Sequence, residues 1–171
     1  MKTKHTFSTT LFGIAALLAA FQFTSCKSHK ENTAADTLEN AIEQASGEDA
    51  DVNMNEGNTE ITMNNATVKY DGDIKSWPAA IPAQIPKFEY CKIEGATITS
   101  ADGFTTYNLK LKGLTPEQIK SYDKDLKSKG FESNLVLVGD KGGTVTATKG
   151  DISIALMGGD SNGSLSVRFP E

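Results

Sequence analysis

Along residues 104–112 apolar and polar side chains alternate one by one, with Tyr107, Leu109 and Leu111 set against Asn108, Lys110 and Lys112. A period of two is that of a strand with one buried face and one wet face. The alternation returns in Ile152, Ile154 and Leu156, and again in Leu165, Val167 and Phe169. Residues 132–138 and 144–148 complete a run of strand candidates separated by short glycine-containing turns, the pattern of an antiparallel meander. Upstream, residues 67–70 suit a short edge strand, and residues 88–93 and 96–100 two further strands, with Gly95 between them as a bulge or bend.

Between residues 114 and 131 the period lengthens to that of a helix. Ile119, Tyr122 and Leu126 fall on one stripe. Thr115 is placed as N-cap, Pro116 as first helical residue and Gln118 as the second half of a capping box. Asp123 and Lys127 suit an exposed i,i+4 pair, and Gly130 a left-handed stop before Phe131 turns back to the core. Prolines 78, 82 and 86 make residues 77–86 a stiff extended arm, since they lack backbone donors and force their predecessors into extended conformations. The fold class expected is α+β: two layers, an antiparallel β-meander sheet of about six strands, with one helix packed on one face.

The N-terminus obeys another logic. Lys2 and Lys4 precede the uncharged, largely apolar residues 11–23, too short to span a bilayer comfortably, and small polar residues then lead to Cys26. Phe23, Thr24, Ser25 and Cys26 resemble the lipobox of bacterial lipoproteins, in its looser Bacteroidota-like form because Phe23 replaces the usual leucine. The resemblance implies that residues 1–25 are a signal peptide, that Cys26 is the lipidation site carrying diacylglycerol and palmitate-type acyl chains, and that the lipid bilayer is a partner through that anchor. It places the mature chain in the cell envelope. Lys27 favours the outer membrane, and the absence of an acidic cluster just after Cys26 slightly favours the periplasm-facing side over the cell surface.

Charge and composition divide the mature chain in two. Residues 27–66 hold two lysines against nine carboxylates, a net of −7, with no aromatic residue. So little apolar surface cannot offset ordering entropy, and residues 26–66 are therefore expected to be a lipidated, disordered acidic tether, transiently helical where Leu38, Ile42 and Ala45 share a face. Residues 67–171 balance thirteen bases with thirteen acids and make the single α+β domain. Without a basic footprint, no nucleic-acid partner is expected.

Residues 77–169 also resemble a small domain of unknown function at the C-terminal end of bacterial lipoproteins. The features that carry it are Trp77 with Pro78, Ile85 with Pro86, the helix ending in Tyr122, Leu126, Gly130 and Phe131, and the closing strand pair. The resemblance implies the α+β fold and a lipoprotein setting, and brings no catalytic residue.

Candidate chemistry is sparse. His5 and His29 both precede the domain, so neither a Ser-His-Asp nor a Cys-His arrangement can be built within it. Asp102, Asp140, Asp151 and Asp160 sit in glycine-containing turns, where local backbone bonding explains them. Asp160, Asn162, Ser164 and Glu171 have the spacing of calcium-loop ligands, but Leu165 stands where that loop needs glycine. Cys91 is the one thiol left to the domain and is expected either to be buried or to pair between molecules. Trp77, Tyr70 and Tyr90 are the candidate ligand or partner contacts, as an aromatic patch; for Trp77 the competing reading is an anchor of the arm on the core. No catalytic residue, metal or cofactor is expected. The functional expectation is a membrane-anchored envelope lipoprotein displaying a small non-enzymatic binding domain for an envelope protein or glycan. The alternative is a structural or assembly component that pairs through a free sheet edge at residues 67–70 or 165–169. A carboxylate-dependent hydrolase is the third reading.

Overall fold

The computed structural model describes residues 31–171. Residues 1–25 and Cys26, with the signal and lipidation expectations that fall on them, lie outside the described residues. The chain is α+β, with one antiparallel sheet of nine strands and two helices among the described residues. In chain order these are α1 (Glu31–Ser46), β1 (Ala50–Asn55), β2 (Asn58–Met63), β3 (Ala66–Asp71), β4 (Lys92–Ala101), β5 (Phe104–Leu114), α2 (Pro116–Ser128), β6 (Glu132–Val138), β7 (Gly142–Lys149), β8 (Ile152–Gly159) and β9 (Ser161–Pro170). The strands lie in the order β1-β2-β3-β4-β5-β9-β8-β7-β6. Two meanders therefore meet at β5 and β9, and α2 carries the chain from β5 to the far edge at β6.

The expectation of six strands and one helix falls short in the acidic segment. Residues 31–66, expected as a disordered tether, form α1, β1 and β2. Their apolar residues are few but concentrated: Ala35 and Ile42 of α1 are buried against Ala50 and Val52 of β1 and Ile61 and Met63 of β2, with Leu38 and Met54 packed alongside. Ala45, expected on the apolar face of α1, is exposed instead. Pairing of β2 with β3 supplies the backbone hydrogen bonds that so small a core could not hold alone. For the same reason residues 67–70 are not an edge, because β3 lies between β2 and β4. Residues 165–169 are not an edge either, because β9 lies between β5 and β8.

Register decides which side chains share a face, since directly paired residues in an antiparallel sheet point the same way. From Leu109 one row passes to Ala96 on one side and to Leu165, Leu156, Val145 and Leu135 on the other. This face holds the main core, capped by Ile119, Tyr122 and Leu126 of α2 and by Ile81, Ile85 and Phe88 of the proline-rich arm. The arm is not extended as expected: Ile81 N donates to the Pro78 carbonyl at 3.2 Å and Ile85 N to the Pro82 carbonyl at 3.0 Å, two successive turns that start at prolines, whose fixed φ suits a turn as well as an extended chain. The neighbouring row runs from Asn108 through Thr97, Tyr70 and Thr59 to Met54, and the other way through Ser166, Ala155 and Thr146 to Asn134. Met54 packs under α1, so the two helices cover opposite faces of one sheet.

The expected helix forms with its capping box complete, Thr115 Oγ1 accepting from Gln118 N at 3.3 Å and Gln118 Oε1 from Thr115 N at 2.9 Å. Gly130 adopts φ +78°, and Phe131 is buried. Residues 92–101 are one strand, its register shifting between Ile93 and Gly95 at the expected bulge. Residues 88–91 are not part of that strand; Phe88 turns into the core instead. On the core face Gly163, Gly158 and Gly143 fill the row between Leu111 and Leu137. Leu114 lies directly on this floor, so a Cβ at Gly158 or Gly163 would stand 2.3 or 2.4 Å from its Cδ2.

Candidate interaction surface

The aromatic candidates do not gather. Tyr70 is on the face that α1 covers, 42% exposed, and its ring lies across Gly72 and Gly95. Trp77 is half-buried and packs with Ile74 against the main core on the opposite face, which is the anchoring role. Tyr90 packs on that same core through other rings: its ring meets Phe88 edge-on at 5.4 Å, Phe88 meets Tyr122 at 5.1 Å, and the Tyr90 hydroxyl donates to Asp125 Oδ2. Burial, aided by Asp125, pushes the Tyr90 hydroxyl up to about 12. Gln118 Nε2 donates to the Tyr90 carbonyl at 2.6 Å, and Tyr122 Oη to the Pro86 carbonyl at 3.1 Å. Together these bonds tie the arm to α2. Sequence spacing could not separate Tyr70 from the other two, because register puts it on one side of the sheet while Trp77 and Tyr90 pack on the other.

The titratable groups have structural partners. Asp123, expected in an exposed pair, is 5% exposed; Lys127 Nζ donates to it at 2.8 Å and Ser133 Oγ at 2.6 Å. Burial would raise its pKa, but those two donors outweigh it and hold the carboxyl below its ordinary range. Cys91 is half-buried rather than fully enclosed, and burial pushes its thiol up, away from thiolate chemistry. Glu94, at the bulge, lies 3.6 Å from Lys110 Nζ and 3.5 Å from Lys112 Nζ, and these lysines with Lys92 outweigh its desolvation and lower its pKa.

Asp102, Asp140, Asp151 and Asp160 are exposed turn residues, and Asp102 and Asp160 hold left-handed conformations with φ of 54° and 51°. The calcium-like spacing dissolves into structure, since Asn162 and Ser164 lie in β9, paired with Gly159 and Met157 of β8. Among the described residues no three His, Cys, Asp or Glu side chains gather as they would to hold a metal ion.

Among the described residues nothing covers the polar face of β5 to β9 or one edge of the sheet. The two edges differ. At β1 the outward amides of Ala50 and Val52 donate to Glu43 Oε1 and Glu39 Oε2 of α1, both at 3.3 Å, so that edge is closed by its own helix. At β6 the sheet ends among the described residues. Its seven residues carry a single charge, Glu132, and no proline or lysine, the usual devices for blunting an edge. Leu135 and Leu137 turn toward the main core, while Val136 and Val138 point outward at 54% and 66% exposure.

Beside them Met157 is 54% exposed. The row from Val138 continues through Gly142 and Gly159 to Asn162, and the missing side chains leave an open trough of about 700 Å3 lined by Val138, Lys141, Thr144, Met157, Asn162 and Ser164. An unblocked strand edge beside exposed apolar side chains can take up another strand. The alternation at 132–138 signals this surface in the sequence, but nothing local says that the strand is terminal. Compared with family models, with curated proteins and with solved structures, the chain matched nothing in any of the three.

Proposed function

We propose that this chain is a lipid-anchored envelope protein whose folded part is a non-enzymatic binding module, and that it engages its partner by strand pairing at β6. The observation that carries the contact is the asymmetry of the sheet: one edge closed by Glu39 and Glu43, the other bare and flanked by Val136, Val138 and Met157. The anchor rests on Lys2, Lys4, the apolar run 11–23 and the cysteine at 26. We place the protein at the outer membrane, on the periplasm-facing side, as a carrier of protein–protein contacts. The same edge suits the assembly reading, in which the module joins a structural array of the envelope.

Labelling, crosslinking and protease shaving test this. Palmitate labelling and membrane fractionation are expected to be lost in Cys26→Ser and kept in Cys91→Ser; labelling that survives the first substitution refutes the anchor. A photo-crosslinking residue placed at Val138 in living cells is expected to give a discrete adduct, while one at Lys124 on α2 gives none. Equal yields at both would refute the edge. Protease shaving of intact cells then reports the side, with protection expected.

A further inference from the structure

We propose that α1 and β1 are the foot of the module: the anchor holds their corner against the bilayer, and the sheet stands up from it with β6 outermost. This rests on the lipid-anchor and β6-edge readings and adds where the edge is presented. The partner of β6 is then a protein segment standing clear of the headgroup layer.

Reach comes first. Between Cys26 and Glu31, where α1 begins, stand only Lys27, Ser28, His29 and Lys30. Even fully extended, that link spans at most about 18 Å. A disordered tether running to residue 66 would have a root-mean-square span of about 35 Å and several times that at full stretch. Folding of residues 31–66 therefore draws the module in to the lipid surface.

Direction comes second. Glu43 accepts from the Ala50 amide and Glu39 from the Val52 amide, so α1 runs antiparallel to β1. From Glu39 back to Glu31 the helix advances about 12 Å, and from Val52 on to Glu56 the strand advances about 13 Å. The anchor thus leaves the fold beside the β1–β2 turn at Glu56. In the strand order β6 lies at the far end of the sheet from β1, and strand spacings of about 4.8 Å put it as much as about 38 Å away.

Charge comes third. Residues 31–66 bring nine carboxylates and no base to the anchored side, while residues 67–171 are balanced. Lys27 and Lys30 stand beside the lipidated cysteine. Anionic headgroups attract those two lysines and repel the acidic flank of α1, β1 and β2, so the sheet does not lie down on that side.

The test uses the acylated full chain in vesicles of phosphatidylethanolamine and phosphatidylglycerol that carry an acceptor dye on their headgroups. A donor dye is placed at Glu56→Cys or Val138→Cys, both exposed positions, with Cys91→Ser removing the native thiol. Energy transfer at Val138 is expected to be at most about half that at Glu56, for a separation of up to about 38 Å. Inserting about twenty Gly and Ser residues between Lys30 and Glu31 adds a coil of about 25 Å and is expected to lower transfer at Glu56. Equal transfer at the two positions overturns the proposal, as does transfer at Glu56 that ignores the insertion. Sedimentation with the vesicles separates the proposal from the readings it rests on. A chain that does not sediment overturns the anchor and the proposal together, whereas one that sediments with equal transfer keeps the anchor and overturns the orientation. A transfer difference without a Val138 photo-adduct supports the orientation and overturns the contact at β6.

Discussion

Asp123 faces inward on α2, where Lys127 and Ser133 hydrogen bond to its carboxylate, so the charged form is stabilised in the folded state and not in the unfolded chain. Its pKa is lowered by folding, so its contribution is present above the unfolded carboxyl value and is lost as pH falls through the folded one. Asp123→Asn is expected to cost about 1–2 kcal/mol at neutral pH in urea melts, a gap that closes as pH drops below about 4. Tyr90 carries the opposite sign. Folding raises its hydroxyl from 10.0 to about 12, so stability present below pH 10 is lost as pH rises toward 12. Tyr90→Phe is expected to flatten that alkaline decline, read as unfolding midpoints between about pH 9 and 12. Neither environment is visible in the sequence: Asp123 and Lys127 have the spacing of a surface pair, and the Ser133 hydroxyl that meets the buried carboxylate comes from β6.

Element by element, legibility tracks how local the determining interactions are. Helix α2 is readable to its caps because Thr115, Pro116, Gln118 and Gly130 act within one turn of where they stand. Strands β5, β8 and β9 are readable by alternation. The glycine floor is not, because Gly143, Gly158 and Gly163 come from three strands and make room for the bulk of Leu114, which lies above two of them. Gly163→Ala, whose Cβ would meet Leu114 at 2.4 Å and the Met157 carbonyl oxygen at 2.7 Å, is expected to cost about 1–3 kcal/mol by denaturant unfolding. Leu114→Ala is expected to cost about 2–5 kcal/mol alone, and the double substitution less than the sum, because the smaller side chain relieves the clash.

For the whole molecule the decisive fact is that residues 31–66 extend the sheet and do not trail from it. They contribute nine carboxylates and no base, together with the two outer strands β1 and β2. Without them β3 would become terminal, and the edge that Glu39 and Glu43 close would be replaced by a bare one. A chain beginning at residue 67 is therefore expected to unfold at lower temperature than one beginning at residue 31 and to aggregate through β3, measured by calorimetry and light scattering on the two side by side.

The α+β class, the capped helix and its buried stripe, the alternating strands and the bulge at Gly95 are all legible in the sequence. Each comes from propensity, periodicity or proline chemistry within a dozen residues. Tertiary structure alone decided that a polar, acidic segment would fold, that the two helices take opposite faces, and that β6 rather than β3 or β9 ends the sheet. Strand order and register are set by pairings between residues far apart in the chain. Each weak strand is held by a neighbour that its own sequence does not name.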